Sequence, residues 1–407
     1  MQNYNNILQY IEETIKKNCG ENSSFIKNAT FASYGLSSLQ LVNFLIELKR
    51  NINIEFDIVE AMSLSTPEEL AKLICAIPYK KELNNTYKQN ENKSRIAIIG
   101  MSCRFPGLES ENGLDSFWET LRTGYNPIRN IPEERWNSSE EYKKGHSIFG
   151  GFIKNIDCFD APFFHISPRE ALSMDPQQRI ALELCYHALE HACLPKNKLE
   201  KLVTGVFWGV SDSEYGKMIL DSEEYQDLYA FTGNSGALLP GRISYYFDLH
   251  GPCVGIDTAS SGGLHAVHHA VRSLRSGECE LAIVGSVNLL LTPEKHRIMS
   301  RAGGMAADGK CKTFDAAADG YVRSEGGGVL ILARMETALQ NDSRIFGVIR
   351  GSAVTHDGHS NGLTTPNPDA QSLTLRMALE DANLSPSDLD YIECHGTGTY
   401  VGDPIEV

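Results

Sequence analysis

The chain has 407 residues, enough for two or three domains and one large core, and 42% apolar with 22% charged residues is ordinary for a globular protein. A formal charge of −15 argues against nucleic acid or an anionic membrane as the main partner. Ten cysteines without a C-x-x-C pair suit free thiols in a reducing cytosol, and no run approaches the roughly 18 apolar residues of a membrane span, so a soluble cytoplasmic protein is expected.

The N-terminal MQNYNNILQYIEE is polar and acidic, so no signal peptide is expected. Ile7, Ile11 and Ile15 recur at fours and predict an amphipathic helix. A turn at Tyr34-Gly35 follows, then a second helix whose apolar stripe is Leu39, Leu41, Val42, Leu45 and Leu48. Thr66-Pro67 before Glu68 and Glu69 predicts the start of a last helix: cap, proline, acids. Three or four short helices make a small bundle over residues 1–78. Within it, GLSSLQLV puts Ser38 at the head of the second helix, where Ser37 or Ser38 can serve simply as an N-cap. Residues 79–94, YKKELNNTYKQNENKS, are too polar to fold and predict a flexible tether spanning roughly 20–25 Å.

From Arg95 strand-like runs (IAIIG, TGVFWGV, LAIVGSV, GVLILA, IFGVIRGSAV) alternate with helical patterns such as ALELCYHALEHACL, predicting an α/β fold with a sheet buried on both faces. There is no Walker P-loop and no strand-linked G-x-G-x-x-G; the glycines of GGGVLILA run into a strand and serve backbone packing. GIDTASSGGLHAVHHAV, residues 255–271, reads as a tight turn feeding a helix, where an α/β enzyme often mounts a nucleophile. His265, His268 and His269 have a spacing that could hold zinc, but a buried helix with polar contacts is the simpler reading, and no metal is expected. Glu68/Glu69 and Glu140/Glu141 read as solvated helix ends, and His356 and His359 as loop residues.

Two resemblances sharpen these expectations. GLSSLQLV and VEAMSLSTPEELAKLI resemble an acyl carrier domain over residues 4–78, with Ser37 where that family usually has Asp. The resemblance implies that a phosphopantetheinyl transferase attaches 4'-phosphopantetheine to Ser38. RIAIIGMSCRFPG, ISPREALSMDPQQRIALELCYHALEHA, GRISYYFDLHGP, CKTFDAAADGYVRSEGGGVLIL and HGTGTYVGDPIEV, in this order over residues 95–407, resemble the β-ketoacyl synthase (ketosynthase) domains of modular polyketide synthases. A thiolase-like fold of αβαβα layers is implied. So is a two-step reaction in which a cysteine takes an acyl chain from a carrier thioester and two histidines promote decarboxylative condensation with a malonyl-type extender.

On that resemblance Ser260 stands at the cysteine position, and His395 matches the first histidine. Thr397 and Thr399 match residues lining the pantetheine channel, and Asn361 lies in the substrate-entry loop, where Thr355 replaces a usual Asn. The chain stops at Val407, before the family's Lys-Ser-Asn-Ile-Gly-His stretch, so the second half of the fold is expected to be truncated. A thiol ionises near about 8.5 and a helix N-terminus can lower that, whereas an alcohol needs a hydrogen-bonded base. Condensation is therefore expected to be impaired. Ser260 could mark a domain that passes chains without extending them, an introduced or trapping substitution, a serine-using variant, or a degenerate remnant. Cys253 is not expected to replace it. The implied partners are acyl and malonyl thioesters on carrier domains, upstream and downstream synthase modules, and a second copy in a homodimer. The contrasting reading is a non-catalytic carrier, docking and dimerisation module.

Overall fold

The computed structural model describes residues 4–19, 25–36, 38–52, 58–62, 64–76, 94–107, 113–222, 227–360, 362 and 364–407. Of the expected tether only Ser94 is among them, and Ser37 and Asn361 lie outside them. The chain divides into two compact units, Met1–Glu91 and Asn92–Val407.

The first unit contains α1 (Tyr4–Cys19), α2 (Ser38–Ile52), α3 (Ile58–Met62) and α4 (Pro67–Ala76). Ile7, Ile11 and Ile15 are all buried, because four-residue spacing keeps them on one stripe of α1, which packs on α2 and α4. On α2, Leu45 and Leu48 are buried as the stripe predicts. Phe44, which the stripe omits, is buried as well, with its ring centroid 5.6 Å from that of Phe31. The head of α4 is a reciprocal cap. Thr66 Oγ1 accepts the Glu69 amide at 3.3 Å, while the Glu69 carboxylate accepts the Ser65 and Thr66 amides at 2.8 and 3.1 Å.

In the second unit the strands are β1 (Ile96–Arg104), β2 (Arg129–Asn130), β3 (Phe149–Gly150), β4 (Thr204–Gly209), β5 (Cys253–Ile256), β6 (Leu281–Asn288), β7 (Gly326–Arg334) and β8 (Gly347–Ile349). Six form one sheet in the order β5-β4-β6-β7-β1-β8, and β2 pairs with β3. β4 runs parallel to β5 and β6, whereas β7 is antiparallel to β6 and β1. Period-two alternation sorts the side chains. Ala97, Val206, Trp208, Ile283 and Ile331 face a core built with α5 (Pro176–His191) and α6 (Leu238–Phe247). Ile96, Phe207, Ala282, Val284 and Leu332 face Ala266, Ala270, Val271 and Leu274 of α7 (Gly262–Ser276). A later helix, α8 (Pro368–Ala382), is tied to α7 by Arg275 and Asp381 at 2.8 Å.

The strand in IFGVIRGSAV, β8, joins the six-stranded sheet at the edge of β1, with Ile96 opposite Ile349. Two features differ from the sequence reading. β5 has only four residues, three of them exposed, too short and too open to give a strand signal. Glu141 is not a solvated helix end like its neighbour Glu140. It is 1% exposed, receives Arg297 Nε at 2.9 Å, and lies 2.9 Å from His146 Nδ1.

The Arg297 guanidinium, with help from His146, holds the Glu141 carboxyl down at about 2 against a usual value near 4.5. A lowered folded value means that the stabilisation is present above 4.5 and is lost as pH falls toward 2. Urea denaturation should therefore show Glu141→Gln losing about 2 kcal/mol less stability than the unaltered chain on acidification across this range. Equal losses would contradict the assignment.

Candidate active site

The parallel strands β4, β5 and β6 carry the chain to one side of the sheet, where sites gather in open α/β folds. At the end of β4, Gly209 lies so close to the head of α7 that a Cβ there would stand 2.7 Å from the Gly262 carbonyl carbon. The Val210 amide donates to the Ile256 carbonyl at 2.9 Å, holding the loop after β4 beside the end of β5.

The chain then turns sharply. Asp257 Oδ1 accepts the Ala259 amide at 3.2 Å, and Ala259 takes the left-handed conformation, φ 50°. For an alanine that costs about 1–2 kcal/mol, which the packed elements on either side must hold in place. Ala259–Ser261 form one short 3₁₀ turn; Ser261 Oγ donates to the Thr258 carbonyl at 2.8 Å, and α7 begins at Gly262. Ser260, the middle residue of the turn, is exposed. Among the described residues no side chain hydrogen-bonds to its hydroxyl.

His395 lies on a different segment. The loop His395-Gly396-Thr397-Gly398-Thr399 is bent by two left-handed glycines, Gly396 at φ 53° and Gly398 at φ 67°. It runs beside Cys311–Phe314: Thr313 Oγ1 donates to the Gly396 carbonyl at 2.6 Å, and the Gly320 amide to the Gly398 carbonyl at 2.8 Å. Thr397 and Thr399 come together, with hydroxyl oxygens 3.1 Å apart. His395 itself is exposed, and no hydrogen bond joins it to Ser260.

Two residues missed by sequence reasoning organise this loop. They lie on α9 (Gly402–Glu406), inside the quoted HGTGTYVGDPIEV block, three residues apart and so on one helical face. The Glu406 carboxylate accepts the His395 and Gly396 amides at 2.5 and 2.8 Å. Asp403, 4% exposed, accepts the Gly398 and Thr399 amides at 2.9 and 3.3 Å through Oδ1, and the Phe314 amide at 2.7 Å through Oδ2. Hydrogen bonds to a charged acceptor contribute about 1.5–3 kcal/mol each.

The histidines of α7 have ordinary partners. His268 Nδ1 lies 3.0 Å from Ser352 Oγ, and burial lowers its pKa. Among the described residues no group of three or more His, Cys, Asp or Glu is placed to hold a metal. In the first unit Ser38 is the first residue of α2, three positions after left-handed Gly35 closes the preceding turn. A hydroxyl residue opening a helix behind such a turn fits covalent attachment of a phosphopantetheine arm.

Residues 93–338 match the family described as "Beta-ketoacyl synthase, N-terminal domain", residues 346–407 its C-terminal domain, and residues 9–74 the "Phosphopantetheine attachment site". One phenolphthiocerol/phthiocerol polyketide synthase component of Mycobacterium bovis is 41% identical over 387 residues, which are 93% of this chain and 20% of that protein. Another phenolphthiocerol/phthiocerol polyketide synthase component, from Mycobacterium tuberculosis, is 43% identical over 359 residues, 85% of this chain and 16% of its own length. The chain thus spans about one fifth of the curated relatives it matches. Among solved structures, the oxazolomycin ketosynthase domain of Streptomyces albus superposes with a TM-score of 0.73 at 36% identity, covering 77% of this chain and 55% of that one. The ketosynthase from module 6 of the bacillaene synthase of Bacillus subtilis gives 0.71 at 39%, covering 77% and 53%. The fold is thiolase-like, and the attachment domain carries covalent 4'-phosphopantetheine. The chain belongs to the β-ketoacyl synthase family of polyketide synthases, as a phosphopantetheine carrier domain followed by ketosynthase N- and C-terminal domains.

Proposed function

We propose that this chain receives an acyl group as a thioester on the carrier arm at Ser38 and offers it to the turn at Ser260, within a polyketide assembly line. The observation that carries the reading is the strained turn after β5, which presents an exposed Ser260 hydroxyl at the head of α7. In the loading step Ser260 Oγ attacks the thioester carbonyl, its proton passes to the departing thiol, and an oxyester remains. The arm, when attached, supplies a thiol that carries the chain at high effective concentration, without release to solvent. His395 is the residue that acts on the extender's carboxylate, and Thr397 and Thr399 line the path of the incoming arm. Asn361 belongs to the entry loop.

The same geometry supports impaired condensation. With no base hydrogen-bonded to it, the Ser260 hydroxyl stays un-ionised, and its oxyester is a poorer acyl donor than a thioester. The role then becomes receiving and passing chains. Acyl and malonyl thioesters from neighbouring modules are the substrates, a phosphopantetheinyl transferase is the activating partner, and the cytoplasm is the setting. None of the described helices is long and apolar enough to cross a membrane.

A homodimer is part of the proposal. One edge of β5 pairs with β4 and the other has no strand partner among the described residues, and Val254, Leu264 and Tyr245 are exposed around it. An unpaired edge beside apolar side chains is a template for a second chain. A non-catalytic carrier and docking module is the second reading, favoured by the same absence of a base at Ser260.

Three measurements test these statements. Incubation with a phosphopantetheinyl transferase should add one arm's mass to the chain and none to Ser38→Ala; no added mass rejects the carrier assignment. Offered an acyl-carrier substrate, the Ser260→Cys variant should form an acyl adduct at least about 100-fold faster than the unaltered chain. Equal rates would reject Ser260 as the acceptor. Sedimentation of the 45.0 kDa chain should show a dimer that Val254→Lys converts to monomer; a monomer in both cases rejects the β5 interface.

A further inference from the structure

We propose that Asp403 is the positioning residue of the His395 loop: its buried carboxylate ties that loop to the segment at Phe314, so that imidazole, threonine hydroxyls and Phe314 ring move as one piece. The inference rests on the reading of His395 as the residue that acts on the extender thioester. The loop has little to hold it from within. Its five residues belong to no helix or strand, and both glycines sit in the left-handed region. The neighbouring segment is strained as well, since Phe314 has φ 60°, a conformation rare for a bulky residue. Such a backbone persists only where its surroundings over-determine it.

Asp403 is what the two segments share. Oδ1 takes the Gly398 and Thr399 amides, and Oδ2 takes the Phe314 amide at 2.7 Å, from 89 positions away in sequence. Glu406 differs in reach, because both of its amide bonds stay within the loop. The seam has two lesser ties, Thr313 Oγ1 to Gly396 and the Gly320 amide to Gly398. Behind it Lys312 is held between Asp308 and Asp319 at 2.8 and 2.7 Å, which anchors the Phe314 side. An acid there accepts three amide protons at once. An asparagine of the same shape keeps one acceptor oxygen and turns an NH₂ group toward an N–H donor, so it must lose one side of the seam.

Hydrogen exchange on the full chain decides the matter. In Asp403→Asn, peptides covering 311–320 and 394–400 should lose protection together, by about tenfold or more. In Glu406→Gln only the second peptide should loosen. Decarboxylation of a malonyl thioester by Asp403→Asn should show kcat reduced about tenfold with KM changed less than about twofold. Unchanged exchange at 311–320 in Asp403→Asn would overturn the proposal, and so would an unchanged kcat. Should that variant fail to fold, Thr313→Val removes a lesser tie of the same seam and should loosen both peptides by a smaller factor. Loosening of its own peptide alone would count against the coupling. If the unaltered chain does not decarboxylate at all, the role proposed for His395 on the extender fails, and the exchange comparison still judges Asp403.

Discussion

The large unit depends on one constraint: a single sheet whose two faces are both closed by helices, α5 and α6 on one side and α7 on the other. A central strand covered twice can expose no polar side chain, and β4 is buried along its whole length. The crossover that returns α7 to the sheet must reverse direction immediately after β5, within a few residues. That reversal forces Ala259 into the left-handed region and lifts Ser260 into solvent at the head of a long helix. The proposed acceptor position is thus a by-product of closing the second face. The turn is held between β5, paired to β4, and α7, packed on the sheet through Ala266, Ala270 and Leu274.

Rigidity alone does not make a nucleophile. A sulfur at this turn could be ionised by the helix end alone, whereas an oxygen requires a base within hydrogen-bond reach. The acids of this unit perform another task. Buried Glu141 pairs with the partly exposed Arg297, and Asp403 and Glu406 collect backbone amides that have no regular partner. Part of the chain's negative charge is therefore structural and inward-facing, holding irregular backbone where strands and helices do not reach.

Much of the architecture was legible in the residues. The Ile7, Ile11, Ile15 stripe and the Thr66-Pro67 helix start appear as the pattern demands, because helical period and capping are local properties. The apolar runs of β1, β4, β6 and β7 were visible for a similar reason, since doubly buried strands leave continuous hydrophobic sequence. β5 was not, because an exposed four-residue edge strand has no such pattern. Phe44 was within reach of the same pattern, since positions 41, 44, 45 and 48 follow helical spacing, and the structure adds its ring contact with Phe31 from a separate turn. At the site, the turn around Ser260 and the His395 loop were readable as motifs, while the bonds that shape them were not.

Sequence by itself determined the family, the two-unit composition, the helical and strand periods, and the candidate residues Ser38, Ser260, His395, Thr397 and Thr399, because each rests on short-range pattern. Tertiary structure alone decided that β8 extends the sheet at β1, that Glu141 is buried while Glu140 is not, and that Asp403 joins Phe314 to the His395 loop. Those are pairings between residues far apart along the chain. An acid's partner is set by which segments the packed sheet and helices bring within about 3 Å, and no local periodicity records that.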